Sequence, residues 1–171
     1  STIDGKVEIT GGTISGSSHG INLLGAVTAT GSVALRNAAF SSTAFNTVKF
    51  TAAIVGAVAI SGCVITCTSA VSSALIFNDA VSGALAVSKT TVAATFYGIN
   101  FKQPRAVASF TDVTVTSGAG GVGFTMDSLL TATVIFSGGS ITAVGIAIRL
   151  PAVSRQRRRQ GHQCSSPNGE Q

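Results

Sequence analysis

One unit of about 25 residues recurs six times along this chain of 171 residues. Each copy starts with an apolar stretch, turns at a small polar pair and resumes with a second apolar stretch, as in VAISGCVITC and VIFSGGSITA. Repeats of this length are typical of solenoids, in which each copy buries its apolar face against its neighbours. The copies begin at Val7, Val33, Val58, Leu85, Ala108 and Val134.

Apolar residues within each copy recur at every second position, which is the period of a β-strand. Most of them are β-branched or aromatic, and such side chains pack well on a pleated sheet. The pattern therefore predicts two strands per copy whose apolar residues face the interior. The first inward column is Ile9, Leu35, Ile60, Val87, Phe110 and Phe136, and the second is Ile14, Phe40, Ile65, Val92, Val115 and Ile141.

A two-residue corner separates these strands in every copy. Its second residue is Gly, Asn or Asp in five of the six copies, and these residues tolerate the left-handed backbone that a sharp corner needs. Lys89 is the exception to this pattern. The six positions are Gly11, Asn37, Gly62, Lys89, Asp112 and Gly138.

A third short strand follows, as in GINL at Gly20 and GVGF at Gly121. Three strands and three bends per copy, stacked about 4.8 Å apart, predict an all-β fold. We expect a right-handed parallel β-helix (solenoid) of about six rungs over residues 1–150, since parallel crossovers are right-handed. The third inward column is predicted to be Leu23, Phe50, Phe77, Phe101, Phe124 and Ile148, with the phenylalanines in the core rather than on a sugar-binding surface.

The strand pattern stops at Pro151, and the composition changes there. Charged residues make up only 10% of the chain, yet five of its eleven Lys and Arg residues lie between Arg149 and Gln171. We expect residues 151–171 to form a disordered Arg/Gln-rich tail. Arg155 and Arg157 to Arg159 are better explained as a solvated tail than as a nucleic-acid patch, so no nucleic-acid partner is expected.

The uncharged run from Phe50 to Asn78 is long enough to imitate a membrane span. It alternates as strands do and contains several Ser and Thr residues, so we expect no span within this chain. Cys63 and Cys67 fall in this run, about 13 Å apart if they share one strand, which is too far for a disulfide. Both are predicted to be small buried core residues.

The segments LAVSKTTVAATFYGINF, SFTDVTVTSGAGGVGF and LTATVIFSGGSITAVGIAI resemble the repeat region of the large trypanosomal dispersed gene family of surface proteins. The resemblance covers about residues 7–150. It implies a β-helix adhesin-like protein, at the cell surface or secreted, that engages host extracellular components. It supplies no catalytic residues. The membrane-spanning C-terminal region of that family is missing and residues 151–171 match nothing in it, which implies a fragment or a frame-disrupted product of a membrane-associated parent protein.

Residues and resemblance together favour a non-catalytic structural or adhesive segment of a larger surface or secreted protein. An extracellular matrix protein or a glycan is the expected partner. Unpaired strand edges at the first and last rungs also predict end-to-end self-association. A polysaccharide lyase or hydrolase of the same fold is the alternative.

That alternative needs clustered carboxylates, and few acids are present. Asp79 and Asp127 follow third strands two rungs apart, about 9.6 Å, and Lys102 and Arg105 lie on the copy between them. An alternating charge ladder explains these four residues better than a catalytic site does, and glycan contact is the other interpretation. We expect no enzyme activity.

Two histidine positions and the rows of Thr and Ser are the remaining candidate sites. His19 is predicted to be a solvent-facing turn residue, and His162 with Cys164 are too few ligands for zinc, so neither a metal nor another cofactor is expected. Rows of Thr and Ser flank the second inward column. Such rows order water in some ice-binding proteins, although Ala39 with Ser41 and Val64 with Thr66 interrupt them, which makes ice binding a remote alternative.

Overall fold

The computed structural model describes residues 1–128 and 133–151. Every regular element in these ranges is a β-strand, and three parallel sheets of six strands wind into a solenoid of six rungs. The predicted parallel β-helix is therefore confirmed. Most of the predicted tail, residues 152–171, lies outside the described residues, as do residues 129–132.

Each rung contributes one strand to each sheet. The first sheet comprises β2 (Lys6–Thr10), β6 (Ser32–Arg36), β9 (Ala57–Ser61), β12 (Leu85–Ser88), β15 (Ala108–Thr111) and β18 (Val134–Ser137). The second comprises β3 (Thr13–Gly16), β7 (Ala39–Ser42), β10 (Val64–Cys67), β13 (Thr91–Ala94), β16 (Thr114–Ser117) and β19 (Ser140–Ala143). The third comprises β4 (Ile21–Leu23), β8 (Val48–Phe50), β11 (Ser73–Val81), β14 (Tyr97–Pro104), β17 (Val122–Met126) and β20 (Ile146–Arg149).

The first two inward columns stack as predicted. On the second sheet Ile65 pairs with Phe40 on one side and with Val92 on the other, and on the first sheet Val87 pairs with Ile60 and Phe110. The members on the four inner rungs are almost fully buried. Cys63 and Cys67 are buried free thiols beside this core, which confirms their predicted role.

The corner between the first and second sheets has a left-handed backbone in every copy. φ is 70° at Gly11, 50° at Asn37 and 53° at Asp112, and Lys89 has a φ of 48° like the others. Lys89 thus makes the same corner despite its Cβ, because its strands must keep register with neighbours on both sides. The two remaining corner glycines are Gly62 and Gly138.

The third inward column differs from the prediction in its last rungs. Leu23, Phe50, Phe77 and Phe101 pair in order, but the partner of Phe101 is Met126, and Phe124 pairs with Ile99 and Ile148. The predicted alignment of Phe101 with Phe124 was therefore wrong by two residues. Both registers place apolar residues inside because strand side chains have a period of two.

A fourth column of contacts was not predicted. β1 (Thr2–Ile3) pairs with β5 (Ala26–Val27), and Ile54 bridges Val27 and Val81. β11 and β14 run on past the core column to reach this side of the solenoid. This column runs from the first rung to Val81, which pairs with Pro104 at the end of β14.

Aromatic rings reinforce the core in two groups. Phe77 lies between Phe50 and Phe101, with ring centroids 5.0 and 5.2 Å away. Phe110, Phe124 and Phe136 form the second group, with centroids 4.9 to 5.6 Å apart. Aromatic pairs contribute about 0.5–1.5 kcal/mol beyond their burial, so these groups hold consecutive rungs together.

The last rung exposes the apolar interior of the solenoid. Phe136 is 39% exposed, whereas Phe110 one rung below is 1% exposed. A cavity of about 340 Å³ opens here, lined among others by Phe136, Ile141 and Ile148. Within the described residues, no strand pairs with the outer edges of β18, β19 and β20.

Candidate functional site

The outer surface of the second sheet carries small and hydroxyl side chains and no charge, and we name it the hydroxyl face. Pairing from rung to rung aligns these residues in two straight ranks. Ser41 Oγ donates a hydrogen bond to Ser15 Oγ at 2.9 Å, which links two rungs. The first rank is Thr13, Ala39, Val64, Thr91, Thr114 and Ser140, and the second is Ser15, Ser41, Thr66, Ala93, Thr116 and Thr142.

Exposed hydroxyl groups continue past the ends of these strands, at Ser17, Thr43, Thr68 and Thr95. Backbone hydrogen bonds still join the rungs there, for example from Thr68 N to Ser42 O at 3.1 Å and from Thr95 N to Cys67 O at 2.9 Å. The hydroxyl face is therefore wider than the strands themselves.

Charged side chains occupy the other surfaces of the rungs. On the first sheet, Glu8 forms ion pairs with Lys6 at 2.5 Å and with Arg36 on the next rung at 3.5 Å. The hydrogen bond from Lys6 lowers the pKa of Glu8 below its ordinary value, and the charge of Arg36 acts in the same direction. These exposed groups form a local surface network rather than a pocket.

The four residues predicted as a charge ladder lie on the third side of the solenoid, but they form only one ion pair. Lys102 Nζ lies 2.6 Å from Asp127 Oδ2, on adjacent rungs. Asp79 sits in a bulge, where β11 takes three steps from Phe77 to Ala80 while β14 takes two. Its Oδ1 accepts a hydrogen bond from the backbone N–H of Ala80 at 2.7 Å, so its carboxylate is engaged locally.

Arg105 is exposed just after β14, and its backbone N–H donates to Val81 O at 2.8 Å. Neither Arg105 nor Asp79 forms an ion pair with another described residue. The alternating ladder is thus reduced to the pair Lys102 and Asp127. The bulge displaces Asp79 from the alternation that a regular strand would give.

Residues 1–128 and 133–151 contain no group of three or more His, Cys, Asp or Glu side chains placed to hold a metal ion. In the same ranges, no helix is long and apolar enough to cross a membrane.

His19 differs from the solvent-facing residue that was predicted. It is half-buried at the bend between the second and third sheets, where its ring stacks on Phe45 with centroids 5.6 Å apart and planes 10° apart. Its Nδ1 shares a hydrogen bond with Ser18 Oγ at 2.9 Å. Burial lowers the pKa of His19, and the charge of Lys49 lowers it further.

Phe45 belongs to no predicted column, and its ring is 53% exposed. Its backbone is nevertheless fixed by buried groups, since its carbonyl accepts from Ser42 Oγ at 2.7 Å and from Cys67 Sγ at 3.3 Å. Ser42 Oγ also contacts Thr47 Oγ1 at 2.6 Å. Repeat analysis could not find this residue, because bends carry no hydrophobic period.

No protein-family model, curated protein or solved structure matches this chain. The resemblance to the trypanosomal surface proteins therefore stays a prediction. The fold defines the chain as a parallel β-solenoid.

Proposed function

We propose that this chain is a non-catalytic structural and adhesive segment of a larger surface or secreted protein. Its partners are extracellular matrix proteins or glycans. The observation that carries this proposal is the hydroxyl face, a surface without charged side chains that extends over all six rungs.

Three physical properties suit this face to adhesion. Hydroxyl groups both donate and accept hydrogen bonds, so they can match varied polar partners. Small side chains lose little conformational entropy when a partner covers them. The sheet beneath is held by parallel pairing on both sides of every inner strand, so the surface is already ordered before it binds.

The alternative of a polysaccharide lyase or hydrolase receives less support. Such enzymes need two or more carboxylates acting together. Asp79 is bonded within its own bulge, and Asp127 is paired with Lys102. The Asp79 carboxylate accepts a backbone hydrogen bond, and the Asp127 carboxylate forms an ion pair between adjacent rungs.

Ice binding remains a second candidate because parts of the hydroxyl face are regular. Thr91 pairs with Thr114, and Thr116 pairs with Thr142, so methyl and hydroxyl groups repeat at the rung spacing of about 4.8 Å. Ala39, Val64 and Ala93 interrupt the ranks. Thermal hysteresis measured on the purified protein tests this candidate, and its absence would reject ice binding.

Retention on immobilised matrix proteins and glycans tests the adhesive proposal. Replacing Thr91 and Thr116 together by Gln places larger neutral groups on the hydroxyl face and is expected to weaken retention about tenfold. Thr111→Gln, at an exposed corner of the first sheet, is the matched control and should change nothing. Equal effects of the two changes, or no retention of the unaltered protein, would contradict the proposal.

A further inference from the structure

Five residues of the first two rungs lie at the bend before the third sheet, on that sheet or just after it, and we name them the bend patch: His19, Asn22, Phe45, Lys49 and Thr51. His19 stacks on Phe45, and the charge of Lys49 reaches His19. Asn22 pairs with Lys49 between β4 and β8, and its Oδ1 accepts from Thr51 Oγ1 at 2.8 Å. Residues from two rungs, in the bend and along the third sheet beyond it, thus make up this patch.

Phe45 is the exposed ring of this patch, and its backbone is fixed by hydrogen bonds. Phe45 N–H donates to Ser18 O at 3.1 Å, and the next residue, Asn46, accepts from Ser73 N–H through its Oδ1 at 2.8 Å. Together with the bonds to the Phe45 carbonyl, these contacts tie the bend to the rungs on both sides. An apolar ring held in this way offers a binding platform at little cost in entropy.

The polar part of the patch is cationic. Lys49 forms no ion pair with another described residue, and the bend patch contains no acidic side chain. Because the pKa of His19 is lowered, the imidazole is mostly neutral near pH 7 and Lys49 supplies the charge. The amide NH2 of Asn22 donates no hydrogen bond to a described residue, so it is a further hydrogen-bond donor for a ligand.

An exposed aromatic stack, one cation and a hydrogen-bond donor match a sugar ring that carries an acidic group. The apolar face of the ring would cover Phe45 and His19, and its carboxylate or sulfate would reach Lys49. We propose that the bend patch binds an acidic polysaccharide of the sulfated type. This inference rests on the proposed adhesive function and names the glycan class and the site.

Heparin is the probe, and its affinity is measured by titration calorimetry with the full chain. Arg155, Arg157, Arg158 and Arg159 are replaced by Gln in every protein compared, so that their charge does not contribute. Phe45→Ala and Lys49→Gln are each expected to weaken binding about tenfold, a loss of about 1.4 kcal/mol. Unfolding midpoints of the variants confirm that each one is folded.

Two matched variants serve as controls. Val71→Ala removes another exposed apolar side chain from the bend two residues before the third sheet, where Val71 is 76% exposed. Lys102→Gln removes a lysine of the third sheet that is already paired with Asp127. Both should bind heparin within about twofold of the parent, because neither belongs to the bend patch.

Equal losses in Lys49→Gln and Lys102→Gln would overturn the proposal, since they would show diffuse charge attraction. An unchanged affinity of Phe45→Ala, or equal binding of neutral dextran, would overturn it as well. If one of these outcomes were found while replacement of Thr91 and Thr116 still weakened retention, the adhesive function would stand without this site. If the unaltered protein were retained on no matrix protein and no glycan, both the adhesive function and this binding site would be rejected.

Discussion

Phe124 lies opposite Ile99 on the third sheet, and not opposite Phe101. The same register places Asp127 beside Lys102, where the two side chains form their ion pair. One alignment therefore sets both the packing of the last rungs and the position of the charged pair.

Paired cysteines test this register. In a chain with Cys164→Ser, Lys102→Cys with Asp127→Cys should form a disulfide readily, because adjacent strands lie about 4.8 Å apart. Lys102→Cys with Thr125→Cys is the control, and its Cα atoms would be about 8 Å apart, beyond disulfide range. Faster oxidation of the control pair, followed by mass spectrometry, would restore the alignment of Phe101 with Phe124.

The corner at Lys89 provides a test of backbone strain. A left-handed conformation costs a residue with a Cβ about 1 kcal/mol, so Lys89→Gly should raise the free energy of unfolding by up to that amount. Ala86→Gly, on the exposed side of the strand that precedes this corner, should lower it by about 0.5–1 kcal/mol. Urea denaturation measures both changes. Destabilisation by Lys89→Gly would argue against a left-handed backbone at this corner.

These results show which parts of the molecule a repeat pattern can predict. Columns containing Ile65 and Val87 were predictable because their two strands and the corner between them keep nearly constant length in every copy. Phe124 was misplaced because the third strand follows a bend of variable length, and a shift of two residues preserves the apolar pattern. The bulge at Asp79 and the stack of Phe45 on His19 depend on tertiary contacts that leave no period in the sequence.

The pKa of His19 is expected to lie below that of an exposed histidine, mainly because of burial and secondly because of Lys49. Proton NMR titration measures it, and Phe45→Ala should raise it more than Lys49→Gln does. The folded protein binds this proton less readily than the unfolded chain does. The stability that neutral His19 contributes is therefore fully present above the ordinary histidine pKa, and it is lost as the pH falls from there through the lowered pKa of the folded state. A pKa at or above the ordinary value would contradict the stacked, half-buried position.

The open last rung predicts end-to-end association of the purified chain. Phe136 and Ile148 expose apolar side chains at this rung, and within the described residues no strand pairs with its outer edges. The first rung of a second copy, whose strands have similar lengths, is expected to pair there. Sedimentation should show species that grow with concentration, and Ile148→Lys should reduce them while Val71→Lys should not. A monomer at all concentrations would show that this edge does not associate.

Incubation with polygalacturonate, alginate and heparin in the presence of Ca²⁺ tests the central claim of a non-catalytic adhesive solenoid most directly. Chain length and bound fraction are measured on the same samples. We expect that glycan is bound and that its chain length stays unchanged over long incubation. Cleavage that disappears in Asp79→Ala or Asp127→Ala would contradict it and identify an enzyme.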